Sequence, residues 1–383
     1  MNKRFAKINS LLPTFVLWVL VLFLSIACNG VSCYSSVAGN EVEMTHSSLL
    51  TITDCAGYTV VDVKNPWGEG LLKRYLLVPK DSAVPSNMPT GIIVRTPLDR
   101  VMIFSGVHAS LFEELEVIQS VSAVCDARYI YSSAISDAIA EGRVVDCGSS
   151  LNVNTELLTQ VSPDALFVLP YENGGYGKLD NFSFPLIECA DYMENSPLGC
   201  AEWMRFYGRL MGCVEKSDSI FNAICEEYDS LCRMTKMATF SPKLMCELKS
   251  NSAWYVPAGE STMGRLYSDA GANYLFSSFK GCGSVPLSFE KVLLLAADAD
   301  VWLFKYNSPV DMTYKSLQAD YIGYSHFKPF KNKNIYACNT HYKRLFEQTT
   351  FHPEMLLKEF IVLFYPELMP EYKLLYYEKL REE

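Results

Sequence analysis

Histidine is scarce in this chain. Five histidines occur among 383 residues, spread from position 46 to position 352. A site for a free transition-metal ion such as zinc or manganese needs histidines and carboxylates that converge. The scarcity therefore gives little support to capture of a free metal ion, which stays open only as an alternative.

The sequence also lacks the short motifs of the common enzyme classes. It contains no Gly-x-Ser-x-Gly nucleophile elbow, no P-loop, no Rossmann glycine fingerprint and no His-Glu-x-x-His. It has no basic tract either, and its net charge of −10 comes from acids and bases scattered along the chain. These absences argue against an enzyme and against nucleic acid as a partner.

The thirteen cysteines form no Cys-x-x-Cys pair. Four of them, Cys200, Cys213, Cys225 and Cys232, lie within segments of helical pattern. Cysteine packs as a small buried apolar residue. We expect most of these residues to be core thiols, and the sequence predicts no disulfide connectivity.

One long apolar run occurs, and it lies at the N-terminus. Lys3, Arg4 and Lys7 precede an uncharged segment from Leu11 to Ile26, which ends at Ala27-Cys28. The run is short for a membrane span of roughly 20 residues and suits a secretory signal. Residues 1–28 resemble a bacterial lipoprotein signal, which would make Cys28 the lipidated residue. A cleaved secretory signal followed by an ordinary, unmodified cysteine is the alternative. Either kind of signal would export the chain.

The rest of the chain divides by pattern into a tether, two lobes and a helix. Residues 29–57, rich in Ser, Gly and Asn, predict a flexible tether. Residues 58–214 predict an N-terminal α/β lobe that begins with a β-hairpin at 58–78, where YTVVDV and LLKRYLLV flank an Asn-Pro-Trp-Gly turn. Residues 215–238 predict a connecting helix, and residues 239–383 a C-terminal α/β lobe.

Two segments carry most of this fold prediction. In RVVDCGSSLNVNTELLTQVSPDALFVL (143–169), a short helix capped by Asn154 or Thr155 lies between apolar strands, which is typical of a parallel α/β sheet. In 217–237, apolar residues recur at three-four spacing and predict one helix of roughly 30 Å. The residues in that spacing are Ile220, Ala223, Ile224, Tyr228, Leu231 and Met234.

Several stretches between about 90 and 380 resemble the helix-linked periplasmic binding proteins of ABC importers for iron–siderophore complexes, haem and cobalamin. The stretches are VMIFSGVHASLFEEL, NVNTELLTQVSPDALFVL, SPLGCAEWMRFYGRLMG, WYVPAGESTMGRLYSDAGANYLF and VPLSFEKVLLLAADADVWLF. The resemblance implies two Rossmann-like α/β lobes, joined by one long rigid α-helix, with a ligand cleft between them.

The same resemblance implies a function and partners. The chain would be a monomeric substrate-binding lipoprotein, lipid-anchored to the membrane in the periplasm. It would capture a small metal complex, such as a ferric siderophore, haem or cobalamin, and deliver it to the permease and ATPase of an ABC importer. It would need no cofactor and no metal of its own.

Two glutamates match the family positions that meet arginines of the permease. Glu156 opens the helix after Asn154-Thr155 in the first lobe, and Glu290 opens the helix after Ser288-Phe289 in the second. Two separated negative charges would orient the protein over a basic surface of the permease. Each glutamate also has a simpler explanation, because acids are favoured in the first helical turn.

The cleft should be lined by loops at the strand ends, where glycines let a flat macrocycle approach the backbone and aromatic rings stack on it. The predicted ligand-binding residues are Ser105, Gly106, His108, Tyr129, Tyr131, Tyr171, Tyr176, Gly259, Glu260, Ser261, Met263, Tyr306, Asn307, Tyr342 and Arg344.

Within and beside those loops are charged and imidazole side chains that could hold a metal complex. His108 and His341 could ligate its metal centre through imidazole nitrogen. Arg265, Arg344 and Lys305 could pair with an anionic siderophore or with haem propionates. The mixture does not separate the possible cargoes.

Two alternative functions stay open. One is an enzyme of similar fold that handles tetrapyrroles or metal cofactors, such as a class II chelatase, and the other is a surface-adhesive lipoprotein.

Overall fold

A computed structural model describes residues 38–383, and the predicted signal with Cys28 lies outside them. The strands are β1 (Asn40–Val42), β2 (Leu50–Cys55), β3 (Tyr58–Lys64), β4 (Leu71–Pro79), β5 (Ile92–Thr96), β6 (Val101–Ile103), β7 (Val121–Val124), β8 (Val145–Asp146), β9 (Gly148–Ser149), β10 (Asn152–Val153), β11 (Ala165–Val168), β12 (Leu186–Glu188), β13 (Lys243–Cys246), β14 (Lys249–Ser250), β15 (Ala253–Pro257), β16 (Asn273–Tyr274), β17 (Ser284–Leu287), β18 (Val301–Tyr306), β19 (Ile335–Asn339) and β20 (Glu378–Lys379). The α-helices are α1 (Gly106–Glu114), α2 (Ser133–Ala140), α3 (Thr155–Val161), α4 (Pro197–Glu202), α5 (Met204–Met211), α6 (Val214–Thr235), α7 (Thr262–Asp269), α8 (Phe289–Ala296), α9 (Tyr314–Asp320), α10 (Lys328–Lys331), α11 (Leu345–Thr349) and α12 (Pro353–Phe364).

The N-terminal lobe contains a five-stranded parallel sheet in the order β12-β11-β6-β7-β8. Its central strands β6 and β11 are apolar and buried along their whole length, as expected of a sheet covered on both faces. The chain runs outward from β6 to β8 and then returns to the other side of β6 as β11. The carboxyl ends of β6 and β11 therefore flank a topological switch point, where open α/β sheets bind ligands.

The C-terminal lobe repeats this plan with a different edge. Its main sheet has the order β16-β13-β18-β19-β20, parallel except for the antiparallel β20. A three-stranded antiparallel sheet, β14-β15-β17, adjoins it. Trp254 of β15 and Trp302 of β18 are fully buried with ring centroids 5.7 Å apart, so the two sheets share one aromatic core.

The predicted tether is corrected in its second half. Residues 40–42 and 50–55 form β1 and β2 of a five-stranded sheet with the order β1-β2-β3-β4-β5. Leu50 and Ile52 are buried on one face of β2, while Thr51 and Thr53 are less buried. The alternation is that of a half-buried strand, but it is short and follows a polar stretch. β3 and β4 pair antiparallel, from Thr59 opposite Leu77 to Lys64 opposite Leu71, and correspond to the predicted hairpin.

The long helix α6 spans 22 residues between the two lobes in the chain, roughly 33 Å at 1.5 Å per residue. It packs against α5 and α12. Ile224, Tyr228 and Leu231 are buried as the periodicity predicts. Ala223, however, is exposed, because the buried stripe is centred on Phe221 and Ile224 rather than one residue further round the helix.

Eleven cysteines fall within residues 38–383, and each is a free thiol, six of them buried. Within the same range, no helix combines the length and apolar character needed to cross a membrane.

Candidate functional site

The two lobes meet at a cleft of about 270 Å³, here called the interlobe cleft. It is lined by Phe104, Ser105, Gly106, Val107, Asp126, Tyr129, Ile130, Tyr131, Asn307, Thr340, Lys343, Arg344, Phe346 and Glu347. Six predicted ligand-binding residues come together here, from the loops after β6, β7 and β18 and the segment after β19. They are Ser105, Gly106, Tyr129, Tyr131, Asn307 and Arg344.

The floor of the cleft is closed by Glu347 of α11. Its Oε1 accepts the backbone N–H of Tyr131 at 3.0 Å, and its Oε2 accepts Nε–H of Arg344 at 2.8 Å. The carboxylate belongs to the C-terminal lobe and Tyr131 to the N-terminal lobe, so one buried side chain joins the two walls. A charge-assisted hydrogen bond of this kind is stronger than a neutral one.

Gly106 makes this contact possible. A Cβ at position 106 would stand 1.9 Å from Oε1 of Glu347, far inside van der Waals contact. The preceding residue, Ser105, accepts the backbone N–H of Val107 at 3.2 Å and so caps α1. Together these two residues set where α1 begins and how closely α11 approaches it.

Exposed aromatic faces and cations dominate the cleft walls. Tyr129 is 59 % exposed and Phe346 55 % exposed, and the guanidinium of Arg128 lies 4.6 Å from the ring centroid of Tyr129. Lys343 and Arg344 face the same space. Asp126 is a carboxylate among them, and a hydrogen bond from Ser150 holds its pKa below the usual range. The surface can therefore stack against a flat ligand and pair with an anion.

A second cavity of about 480 Å³, the N-lobe cavity, adjoins the cleft at Phe104. It is lined by Phe104, Ser150, Leu151, Asn152, Val153, Val168, Leu169, Tyr171, Gly175, Tyr176, Gly177, Lys178 and Leu179. Tyr171 and Tyr176 line it, with ring centroids 6.5 Å apart. The Tyr176 hydroxyl donates to Glu188, and burial together with this bond raises the pKa of Tyr176. The cavity lies where β6 and β11 end, at the topological switch point.

Two further predicted residues, Tyr306 and Tyr342, line a small cavity of about 170 Å³ within the C-terminal lobe. The Tyr306 hydroxyl accepts the backbone N–H of Met312 at 3.0 Å, and the Tyr342 hydroxyl donates to the Pro309 carbonyl at 2.6 Å. Both hydroxyls hold the loop at 309–312 in place.

The segment 259–263 lines none of these three cavities. Gly259 lies against the Ser277 backbone, where a Cβ would stand 1.9 Å from the carbonyl oxygen. Glu260 forms an ion pair with Lys280 at 2.8 Å, and Ser261 caps α7. Met263 packs against the hydrophobic core. The glycine and polar residues that suggested a ligand loop thus shape a turn and a helix start.

His108 does not face the cleft, contrary to prediction. It is 1 % exposed and surrounded by aromatic rings, of which Tyr207 is the nearest at 5.3 Å between centroids. Burial lowers the pKa of His108 to about 4. The reason is helical geometry, because residue 108 lies about 200° round α1 from residue 106.

Two of the predicted cations are also placed elsewhere. The Lys305 ammonium is largely buried and forms an ion pair with Glu247, which raises the pKa of Lys305 against the opposing effect of burial. The exposed Arg265 donates from Nε to the Glu260 carbonyl at 3.3 Å. Neither residue lines the interlobe cleft. His341 lies beside it, with its ring 4.7 Å from that of Tyr342.

Glu156 and Glu290 are exposed in the first turns of α3 and α8. Asn154 caps α3 by accepting the backbone N–H groups of Glu156 and Leu157, both at 3.1 Å. At α8, hydrogen bonds at the helix start hold the pKa of Glu290 below the usual range. Both carboxylates face solvent.

Eight of the fourteen residues that line the cleft were not among the predicted ligand-binding residues, and Phe104, Asp126 and Glu347 are three of them. Phe104 directly follows β6, so its place at a strand end was a usable signal. Asp126 lies in the left-handed region, at φ 51°, just after β7. Glu347 lies within a short amphipathic helix, where nothing in the sequence distinguishes it from a solvated acid.

Two α/β lobes that face each other across a cleft, with one long helix between them in the chain, are the architecture of a substrate-binding protein. The chain belongs to the periplasmic binding protein family, whose model matches residues 112–342. Outside the cytoplasm, proteins of this family bind substrates that are to be transported. The match confirms the resemblance seen in the sequence.

Two relatives from Methanocaldococcus jannaschii are named as uncharacterised proteins. One, named as a lipoprotein, is 27 % identical over 289 residues, which cover 71 % of this chain and 68 % of the relative. The other is 22 % identical over 282 residues, which cover 71 % of this chain and 83 % of the relative.

Solved structures share the fold at low sequence identity. A possible iron-binding periplasmic solute-binding protein from Staphylococcus epidermidis is 14 % identical with a TM-score of 0.55, over 70 % of this chain and all of that one. IsdE from Staphylococcus aureus, complexed with heme, is 14 % identical with a TM-score of 0.54, over 70 % of this chain and 98 % of IsdE. CeuE from Helicobacter pylori is 15 % identical with a TM-score of 0.54, over 81 % of this chain and 90 % of CeuE.

Proposed function

We propose that this protein is the substrate-binding lipoprotein of an ABC importer. It captures an iron complex, either a ferric siderophore or haem, or else cobalamin, and delivers it to a membrane permease. It catalyses no reaction, acts as a monomer, and is anchored outside the cytoplasm through lipid on Cys28. The interlobe cleft, with its exposed aromatic faces beside Lys343 and Arg344, is the observation that supports this proposal most.

The chemistry of the cleft favours a flat or aromatic anionic ligand. Tyr129, Tyr131 and Phe346 each expose more than 40 % of their surface, and exposed aromatic rings at a site provide stacking area. Lys343 and Arg344 are each ion-paired with a carboxylate, at 2.9 Å to Glu378 and 2.8 Å to Glu347, so an anionic ligand would share these cations with their partners. Haem propionates and catecholate or carboxylate siderophores carry charge of the matching sign.

The size of the cleft restricts how such a ligand binds. Its volume of about 270 Å³ lies below the roughly 300–1,000 Å³ of ordinary ligand pockets. The adjoining N-lobe cavity, of about 480 Å³, shares Phe104 with it. A ligand of haem size would therefore extend from the cleft past Phe104 or remain partly exposed. The long helix between the lobes permits only modest closure.

Two exposed points on the lobes suit docking onto a permease. Glu156 and Glu290 present charge at helix starts, and each has an exposed leucine near it in the sequence: Leu151, 96 % exposed, and Leu294, 78 % exposed. Glu290 and Leu294 are one turn apart on α8 and so share a face. A charged residue beside an exposed apolar residue is typical of a protein–protein interface. In such an interface, charge pairing orients the two proteins and apolar contact stabilises the complex.

A ligand screen tests the proposal. The full chain, purified in mild detergent, is titrated with haem, cobalamin, cobinamide and several ferric siderophores, with absorbance and melting temperature as readouts. One ligand should raise the melting temperature saturably, as mass action requires of binding to the native state. If none binds, capture of a metal complex is wrong, and turnover of a tetrapyrrole becomes the next assay.

A matched pair of tyrosine variants locates the site. Tyr129→Ala removes an exposed ring from the cleft and should weaken binding about 10-fold, the worth of one stacking contact. Tyr255→Ala removes a ring that is 50 % exposed on β15 and lines none of the three cavities, so affinity should stay unchanged. Equal effects of the two substitutions would place the ligand outside the interlobe cleft.

A further inference from the structure

A cluster of three metal-binding side chains lies in the core behind the cleft. His108 of α1, Cys189 just after β12 and Asp191 of the next turn bring one ligand atom each to within 4.8 Å of the others. Their residues are 1 %, 0 % and 3 % exposed respectively. Imidazole nitrogen, thiolate sulfur and carboxylate oxygen are the three ligand types that zinc accepts.

The imidazole of His108 has no partner in this core. Neither Nδ1 nor Nε2 has a hydrogen bond, and both are fully buried. Polar side-chain atoms in protein cores are nearly always satisfied, so an exception of this kind needs a physical explanation. The thiol of Cys189 and the carboxylate of Asp191 each bring one ligand atom within 4.8 Å of a ring nitrogen, and neither forms a hydrogen bond with the ring.

The surroundings suit a resident ion. The Tyr207 hydroxyl donates to Oδ1 of Asp191 at 2.9 Å and fixes the carboxylate, as partners of metal ligands commonly do. Phe112, Phe167 and Phe351 pack about the imidazole and exclude water. In such an apolar shell a net charge would be costly.

We propose that His108, Cys189 and Asp191 bind one Zn²⁺ ion as a structural centre of the protein. A divalent cation with one thiolate, one carboxylate and one neutral imidazole has no net charge, which suits an apolar core. The Cys189 thiol releases its proton to solvent when the ion binds. Two ligands of a tetrahedral zinc ion stand roughly 3.5 Å apart, so a small inward movement brings the three side chains to bonding distance, and one water that enters with the ion would take the fourth position.

This ion is distinct from the transported cargo. A cargo must enter and leave, whereas each of these three residues is at most 3 % exposed. The centre would tie the start of α1 to the segment after β12, and the Phe351 ring of the C-terminal lobe lies 6.4 Å from the imidazole. It would therefore stiffen the lobe junction from below the interlobe cleft. Its existence does not depend on which ligand the cleft binds.

Elemental analysis and cobalt substitution test the centre. The full chain, purified in mild detergent with reductant and without chelator, should contain close to one zinc per chain. After chelation, added Co²⁺ should give the charge-transfer absorbance of a thiolate–cobalt bond, and added Zn²⁺ should abolish it. This measurement uses the unaltered chain and is independent of whether any variant folds.

Cysteine variants assign the ligand. Cys189→Ser should remove the cobalt–thiolate absorbance and lower zinc affinity by more than about 100-fold, since even changes to outer partners cost 10- to 100-fold. Cys125→Ser, at another fully buried thiol of the N-terminal lobe, should leave both unchanged. The proposal is overturned if the unaltered chain neither retains nor takes up metal, or if the absorbance survives in Cys189→Ser.

Discussion

At the scale of single residues, the contact between Gly106 and Glu347 determines the shape of the cleft floor. The carboxylate occupies the space that any side chain at position 106 would fill. It bonds to groups on both lobes, through the Tyr131 backbone and the Arg344 guanidinium. The glycine is therefore required by close approach, not by its backbone angle.

Gly106→Ala should displace the Glu347 carboxylate from the Tyr131 N–H. The loss of that bond, with the buried groups left unpaired, should lower the free energy of unfolding by about 2 kcal/mol. Chemical denaturation measures it. Gly283→Ala is the matched control, because a Cβ there meets nothing within 4 Å. If the two variants are equally stable, Glu347 moves aside at no cost and the floor is not fixed by this contact.

At the scale of elements, two buried carboxylates hold the segment before β2. Glu202 accepts the backbone N–H groups of Thr45, His46 and Ser47 at 3.0, 2.9 and 2.7 Å. Glu194 accepts those of Ser48 and Leu49 at 2.9 and 3.1 Å. These bonds fix residues 45–49, which the sequence predicted to be part of a flexible tether.

Glu202→Ala should destabilise the protein by about 3 kcal/mol or more, because three backbone donors lose their acceptor and Glu202 is fully buried. Urea denaturation of the variant measures this loss. Glu226→Ala, at an exposed position of α6, should cost no more than about 0.5 kcal/mol. Similar values for the two would mean that the segment 45–49 contributes little to stability.

A second contact between elements joins α1 to α12 through a histidine. His352 lies 2.7 Å from Glu114 through Nε2 and 2.8 Å from Glu354 through Nδ1. Burial opposes the charge on this ring, but the two carboxylates outweigh it and raise the pKa of His352 from 6.5 to about 10. The protonated ring thus bridges the two lobes.

The stability that His352 contributes should depend on pH. Because the folded pKa is raised, the contribution is complete below about pH 6.5 and is lost as pH rises towards about 10. His352→Gln should therefore cost about 2 kcal/mol near pH 6 and little near pH 10, measured by denaturation at both. His326→Gln, at an exposed histidine, should show no such dependence. A constant penalty across this range would contradict the ion bridge.

At the scale of the whole molecule, the proposed docking onto a permease depends on one exposed glutamate on each lobe. Glu156→Lys or Glu290→Lys should each reduce import by at least about 10-fold, since a like-charge contact costs several kcal/mol and each 1.4 kcal/mol is a factor of ten. Ligand affinity of the purified variant should change by less than about 2-fold. Uptake by cells with each variant is the measurement, and Glu226→Lys is the control. Normal uptake with both charges reversed would remove the docking role.

The cleft shows where prediction from sequence stops. Glu156 and Glu290 were placed correctly at helix starts, because caps are local signals that the neighbouring residues contain. His108 and the loop at 259–263 were misplaced, because whether a loop faces the other lobe depends on strand order and helix rotation. Glu347 gave no signal at all, since the group that it binds on the other lobe, the Tyr131 N–H, is 216 residues away in the chain.

The sequence by itself determined the α/β class, the two lobes and the long helix between them, because apolar periodicity reports which face of each element is buried. Only the tertiary structure decided which side chains meet. It brings aromatic and basic residues of both lobes to one cleft. It places a carboxylate of the other lobe in the space that a side chain at position 106 would occupy, and it buries His108 beside Cys189 and Asp191. Those encounters depend on long-range packing, which no local pattern encodes.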